Sequence, residues 1–116
     1  MTLKRREKRR YISVLHQGFP ADAFAIIERR HAELFGSIAF TRASLRLTKP
    51  GNGVMIVRSS LAEATGVLAA IALSDPPMVT VDMSSSMKRL KRRLAKVNTA
   101  GGRFYVGDEV SFAAPD

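Results

Sequence analysis

Lys88, Arg89, Lys91, Arg92, Arg93 and Lys96 place six cations within residues 86–96, with no acidic residue among them. A second group, Lys4, Arg5, Arg6, Lys8, Arg9 and Arg10, is interrupted only by Glu7. These two segments carry +6 and +5, residues 11–85 balance six basic against six acidic side chains, and residues 97–116 carry −2, for a formal total of +9. A neutral body with two cationic segments suits a polyanion, because Lys and Arg neutralise phosphates and release their condensed counterions. On charge alone the candidates are nucleic acid and an anionic membrane.

The remaining chemistry points away from catalysis by the protein. His16 and His31 stand alone, without a nucleophile or carboxylate at a recognised spacing, and read as structural. The acidic residues are scattered, so no pair is set out for a metal ion or for acid–base work. "QGFPADAF", residues 17–24, lacks the glycine spacing and the arginine of the phosphate loop of small acylphosphatases, and no Walker or dinucleotide glycine pattern occurs. The chain has no cysteine, which excludes disulfides and thiolate ligands and suits a reducing cytoplasm. No apolar run reaches the roughly 18 residues of a membrane span, and residues 1–10 lack the apolar segment of a signal peptide. A cytoplasmic protein without membrane association is expected.

The elements that position these cations follow from periodicity. A chain of 116 residues has room for one core. "RYISVLH" (residues 10–16) alternates as a strand, and from Ala21 onward Phe24, Ile27, His31, Leu34 and Phe35 recur at helical spacing until Gly36, a natural stop. "ASLRL" (43–47) and "GVMIVR" (53–58) flank the turn residues of "TKPGNG" and read as a hairpin. Ser60 with Glu63 forms the pattern of a capping box, opening a helix that would bury Leu61, Thr65, Leu68, Ala69 and Ala72. "SDPP" ends that helix, and "MVTVDM" (78–83) is a fourth strand. Residues 84–86, all serine, would cap a final basic helix whose Met87, Leu90, Leu94 and Val97 form an anchoring stripe.

The order βαββαβ plus one helix predicts an α+β fold of the ferredoxin-like class: a four-stranded antiparallel sheet with two helices on one face and an extra C-terminal basic helix. Residues 1–9 read as a basic arm, 10–96 as the domain, and 97–116 as a tail with a joint at Gly101 and Gly102 that is poorly ordered, forms a fifth strand or docks on a partner. Base stacking on the sheet, as in RRM domains, is not expected, since the central strands offer only Tyr11. The aliphatic run 54–57 fits burial under a protein, through self-association or a partner subunit. Arg58 either reaches RNA or pairs with Asp82 or Glu63, with Arg46 and Arg42 behind it as candidates.

"KRRYI" (8–12), "LFG" (34–36), "IVR" (56–58) and "SSSMKRLKRR" (84–93) resemble, in order and spacing, protein component 2 of archaeal ribonuclease P, over about residues 8–95. The family usually reads Ser-Gly-Thr where this chain has Ser84, Ser85 and Ser86, and often cysteine where it has Ser59. The resemblance implies an RRM-like ferredoxin fold and a non-catalytic subunit of the ribonucleoprotein that removes 5′ leaders from precursor tRNA. It also implies three partners: the ribonuclease P RNA, precursor tRNA and protein component 3. No cofactor is expected on the protein; magnesium would serve the RNA component. The expected RNA-binding residues are Lys8, Arg9, Arg10, Arg58, Lys88, Arg89, Lys91, Arg92 and Arg93. The alternatives are a generic ferredoxin-like RNA-binding protein, ribosome-associated or an RNA chaperone, and a ligand-sensing or oligomerising domain of the same class.

Overall fold

The computed structural model describes residues 8–50, 53–99, 105–106 and 109–110. The elements are β1 (Arg9–Leu15), α1 (Pro20–Ala43), β2 (Arg46–Lys49), β3 (Val54–Ser60), α2 (Ala64–Ala72), β4 (Val79–Ser84) and α3 (Met87–Thr99), then the short β5 (Tyr105–Val106) and β6 (Glu109–Val110). The fold is α+β, with an open four-stranded antiparallel sheet in the order β2-β3-β1-β4 and three helices. β5 and β6 pair with each other as a separate hairpin. Most of the expected arm, residues 1–7, and the expected glycine joint lie outside the described residues. No helix among those described is long and apolar enough to cross a membrane.

Alternation along the two central strands builds a core on each face of the sheet. Ile12, Val14, Met55 and Val57 point to one side and meet Ala23, Ile27 and Ala43 of α1 with Val67 and Ile71 of α2. Val54 and Ile56 point to the other side and lie under Leu90 and Leu94 of α3. The register pairs Tyr11 with Arg58 and Ser13 with Ile56, so these residues share the α3 side. The aliphatic strand expected to lie under a partner is therefore covered on both faces by the chain's own helices.

Local departures from the sequence pattern have identifiable causes. Gly36 does break the helix, with φ 89° and ψ 171°, a conformation open only to glycine. Helical backbone nevertheless resumes beyond it and runs to Ala43, because Ala39 and Ala43 are buried and hold this second segment down. The start of β2 is displaced to Arg46 as a result. Leu34 and Phe35, on the expected apolar stripe, are 41% and 46% exposed beside the break.

The capping box does not form. β3 continues through Ser60, which pairs with Arg9, and α2 starts at Ala64 with no side-chain cap. The buried residues of α2 are Ala64, Val67, Ala70 and Ile71, and of the expected stripe Leu68 is partly buried against the same core. Its sequence "ATGVLAAIA" is apolar almost all round, so the pattern cannot choose a face.

α1 and α2 meet at His31. A Cβ on Gly66 would lie 3.2 Å from both His31 Nε2 and Phe35 Cε2, so glycine here permits the close approach of the helices. His31 is fully buried, its ring 5.1 Å from that of Phe35, and neither nitrogen has a hydrogen-bond partner among the described residues. Burial pushes its pKa below the ordinary imidazole value, while the Glu63 carboxylate, 3.9 Å from Nε2, partly opposes that. The unfolded chain thus takes up a proton that the folded chain resists. Stability should be complete above the unfolded pKa and fall as pH drops through it from about 7.5 to about 5.5. Urea denaturation at both ends of this range should show a larger loss for the wild type than for His31→Leu.

Candidate nucleic-acid interface

α3 follows β4 after a two-residue turn, and the serines there are engaged. Ser86 Oγ accepts from the Arg89 N–H at 3.3 Å, and Ser84 Oγ accepts from the Ser86 N–H at 3.1 Å. The first is a helix N-cap, as the sequence suggests. Ser85 has no positive φ, so the turn does not need the glycine that the resembled family usually carries there.

Two leucines fix which way the helix faces. Leu90 and Leu94 are buried, with Met87, Tyr11 and Val81 packed around them. Each fully buried leucine stabilises by about 1.5–3 kcal/mol. The like-charge pairs Lys88 with Arg92 and Arg92 with Lys96, at spacing four, cost about 0.2–0.5 kcal/mol each. Packing wins. With that stripe pinned to the sheet, Lys88, Arg89, Lys91, Arg92, Arg93 and Lys96 are all exposed. The fourth stripe residue, Val97, has a side chain outside the description.

One of the six cations is already partnered. Arg93 donates from Nε to Asp82 Oδ2 at 2.6 Å and from Nη2 to Asp82 Oδ1 at 3.3 Å and the Met83 carbonyl at 3.1 Å. This two-point pair ties α3 to the edge strand β4. At this exposure it contributes about 0.2–1 kcal/mol and mainly fixes orientation. Arg93 thus serves position rather than open charge. The other five have no carboxylate within ion-pair distance among the described residues.

Arg58 lies on the α3 side of the sheet, and both partners weighed for it are occupied elsewhere. Asp82 holds Arg93, and Glu63 lies 3.8 Å from Arg42 and 3.9 Å from His31. Arg46 stands directly opposite Arg58 across the β2–β3 pair. Arg9 and Arg10 are part of β1, and the carbonyl of Lys8 accepts from the Leu61 N–H at 2.9 Å, so these three are held by the sheet end. Arg10 donates to the Arg9 carbonyl at 3.0 Å. The anchoring role of Asp82 and the position of Arg46 were missed in the sequence, because both depend on strand register.

No protein-family model matches this chain. No curated protein matches it either.

His31 sits in the interior beside two phenylalanines, and His16 Nδ1 lies 3.5 Å from the Gln17 carbonyl. Among the described residues no group of three metal-ligating side chains comes together. What the surface offers is a helix anchored by Leu90 and Leu94 whose outer face carries cations. Leu90→Ala should cost about 2–5 kcal/mol in urea denaturation, since it opens a cavity under the helix. Replacing Lys88, Arg89 and Arg92 together by Ala should leave stability within about 0.5 kcal/mol or raise it slightly.

Proposed function

We propose that this chain is a non-catalytic RNA-binding protein of the ferredoxin-like class that docks folded RNA on the α3 face, as a subunit of a ribonuclease P resembling the archaeal enzyme. The observation that carries the RNA-binding reading is the α3 surface: five exposed cations without carboxylate partners among the described residues, on a helix pinned by Leu90 and Leu94. A solvated face kept for solubility usually mixes signs; this one does not. The element order and the strand order β2-β3-β1-β4 support the ferredoxin-like assignment. The ribonuclease P assignment rests on the four sequence stretches given above.

In this reading Lys88, Arg89, Lys91, Arg92 and Lys96 contact phosphates, Arg93 holds the helix in place, and Lys8, Arg9, Arg10 and Arg58 extend the field at the sheet end. The RNA performs the chemistry with magnesium, and the protein lowers the repulsion between phosphates that must come together. Binding of a partner such as protein component 3 would use a surface other than the Val54–Ile56 face, which α3 already covers.

If the five unpaired cations meet phosphates, log affinity for precursor tRNA should fall against log salt with a slope of roughly −3.5 to −4.5. A slope near −1 would remove the phosphate-binding reading. Sequencing the RNA that copurifies with the tagged protein tests the assignment: ribonuclease P RNA supports it, while ribosomal RNA alone favours the generic RNA-binding alternative.

A further inference from the structure

We propose that the corner of the sheet bounded by Arg9, Arg46, Arg58 and Ser60 is a binding pocket for a single phosphate group. The pocket, about 140 Å³, is lined by these residues with Ser44 and Ser59. It extends the reading of the basic face without depending on α3, none of whose residues lines it.

Register brings the arginines together from three strands. Arg46 pairs with Arg58, Arg58 with Tyr11, and Arg9, two residues before Tyr11, pairs with Ser60. All of them therefore lie on one face at one end of the sheet. Like charges directly opposite one another across strands are destabilising. None of the three has a carboxylate within ion-pair distance among the described residues. A bound anion would turn this repulsion into attraction, and the planar guanidinium fork matches phosphate oxygens two at a time.

A second observation points to the same ligand. Ser60 is only 4% exposed, and its Oγ is enclosed with no hydrogen-bond partner among the described residues. A buried hydroxyl left unpaired loses its hydration without replacement, and a phosphate oxygen is an acceptor that would satisfy it. The neighbouring Ser59 Oγ donates to the Ser60 carbonyl at 2.9 Å. One feature opposes an anion: α1 ends at the pocket with its C-cap Ser44. The helix end carries about −0.5 of a charge, against three full positive charges. The arginines prevail. The volume has room for one tetrahedral oxyanion, and it is the three guanidinium groups rather than its size that select for a phosphate. A terminal phosphate monoester, with its second negative charge, fits three guanidinium groups better than a backbone diester does.

That chemistry has two sources, the 5′ end of an RNA or a small phosphorylated molecule. The test is amide NMR of the full chain titrated at constant ionic strength with inorganic phosphate, then with a short oligoribonucleotide carrying either a 5′ phosphate or a 5′ hydroxyl. Inorganic phosphate should give saturable shifts at Arg46, Arg58, Ser59 and Ser60. Arg58→Ala should weaken binding at least about tenfold, and Ser60→Ala about two- to tenfold, the loss of one hydrogen bond. Arg29→Ala, the same loss of charge on α1, should have no effect. Arg46→Ala, at an exposed edge position, repeats the test if Arg58→Ala alters the fold. Tighter binding of the phosphorylated oligonucleotide than of inorganic phosphate, lost with the 5′ hydroxyl, identifies an RNA end. Equal binding identifies a small phosphate. Shifts that never saturate, or that respond equally to Arg29→Ala, overturn the pocket. Because the first arm contains no RNA, that failure would leave the salt dependence of RNA binding by α3 untouched.

Discussion

The contact of Leu90 and Leu94 with Val54 and Ile56 decides what this molecule can present to a partner. A helix this basic gains nothing from its own charges, whose spacing opposes helix formation by tenths of a kilocalorie per pair. Two buried leucines supply several times that. The packing also covers the aliphatic face of the central strands, which would otherwise be a sticky surface in water. One contact thus keeps the sheet from open exposure and turns five cations outward. The Arg93 pair with Asp82 then sets the rotation of the helix against the edge strand.

Charge on this face is arranged differently from charge on the opposite side of the molecule. On the α1 and α2 side, Arg30 is 3.4 Å from Glu33, and Arg42 is 3.8 Å from Glu63, so opposite signs lie near each other. On the α3 side the nearest carboxylate, Asp82, is taken by a single arginine, and the remaining cations stand without one among the described residues. A one-sided field of this kind strengthens at low ionic strength, and in the proposed reading it would steer a polyanion toward α3. In the proposed reading, placing the cations on a packed helix rather than on a loop would limit the entropy lost on binding phosphates.

Much of this was legible in the sequence because it depends on local patterns. The strand alternation at Ile12 and Val14, the spacing of Leu90 and Leu94, and the serines before α3 led to the correct elements and to the N-cap at Ser86. The errors arose where local patterns compete or run out. Ser60 and Glu63 have capping-box spacing, yet Ser60 is drawn into the ladder opposite Arg9, a long-range constraint with no local signature. Gly36 stops the helix as glycine should, but burial of Ala39 and Ala43 restarts it. α2 has too few polar residues to mark its outer face. The run 54–57 suggests burial under another protein, but the occupant of its second face is the chain's own helix some 30 residues further along, a pairing that periodicity within the strand does not reveal. For the candidate site, the cations were found from charge alone, whereas the roles of Arg93 and Arg46 required register.

The most direct measurement is amide NMR of the isotope-labelled protein mixed with precursor tRNA at moderate salt, mapping which residues change. The largest changes should fall on residues 87–96, with Leu90 and Leu94 keeping their contacts to Val54 and Ile56 in methyl spectra, because the helix binds RNA without leaving the sheet. Changes confined to α1 and α2, or release of α3 from the sheet on binding, would contradict a pinned cationic helix as the RNA-binding surface.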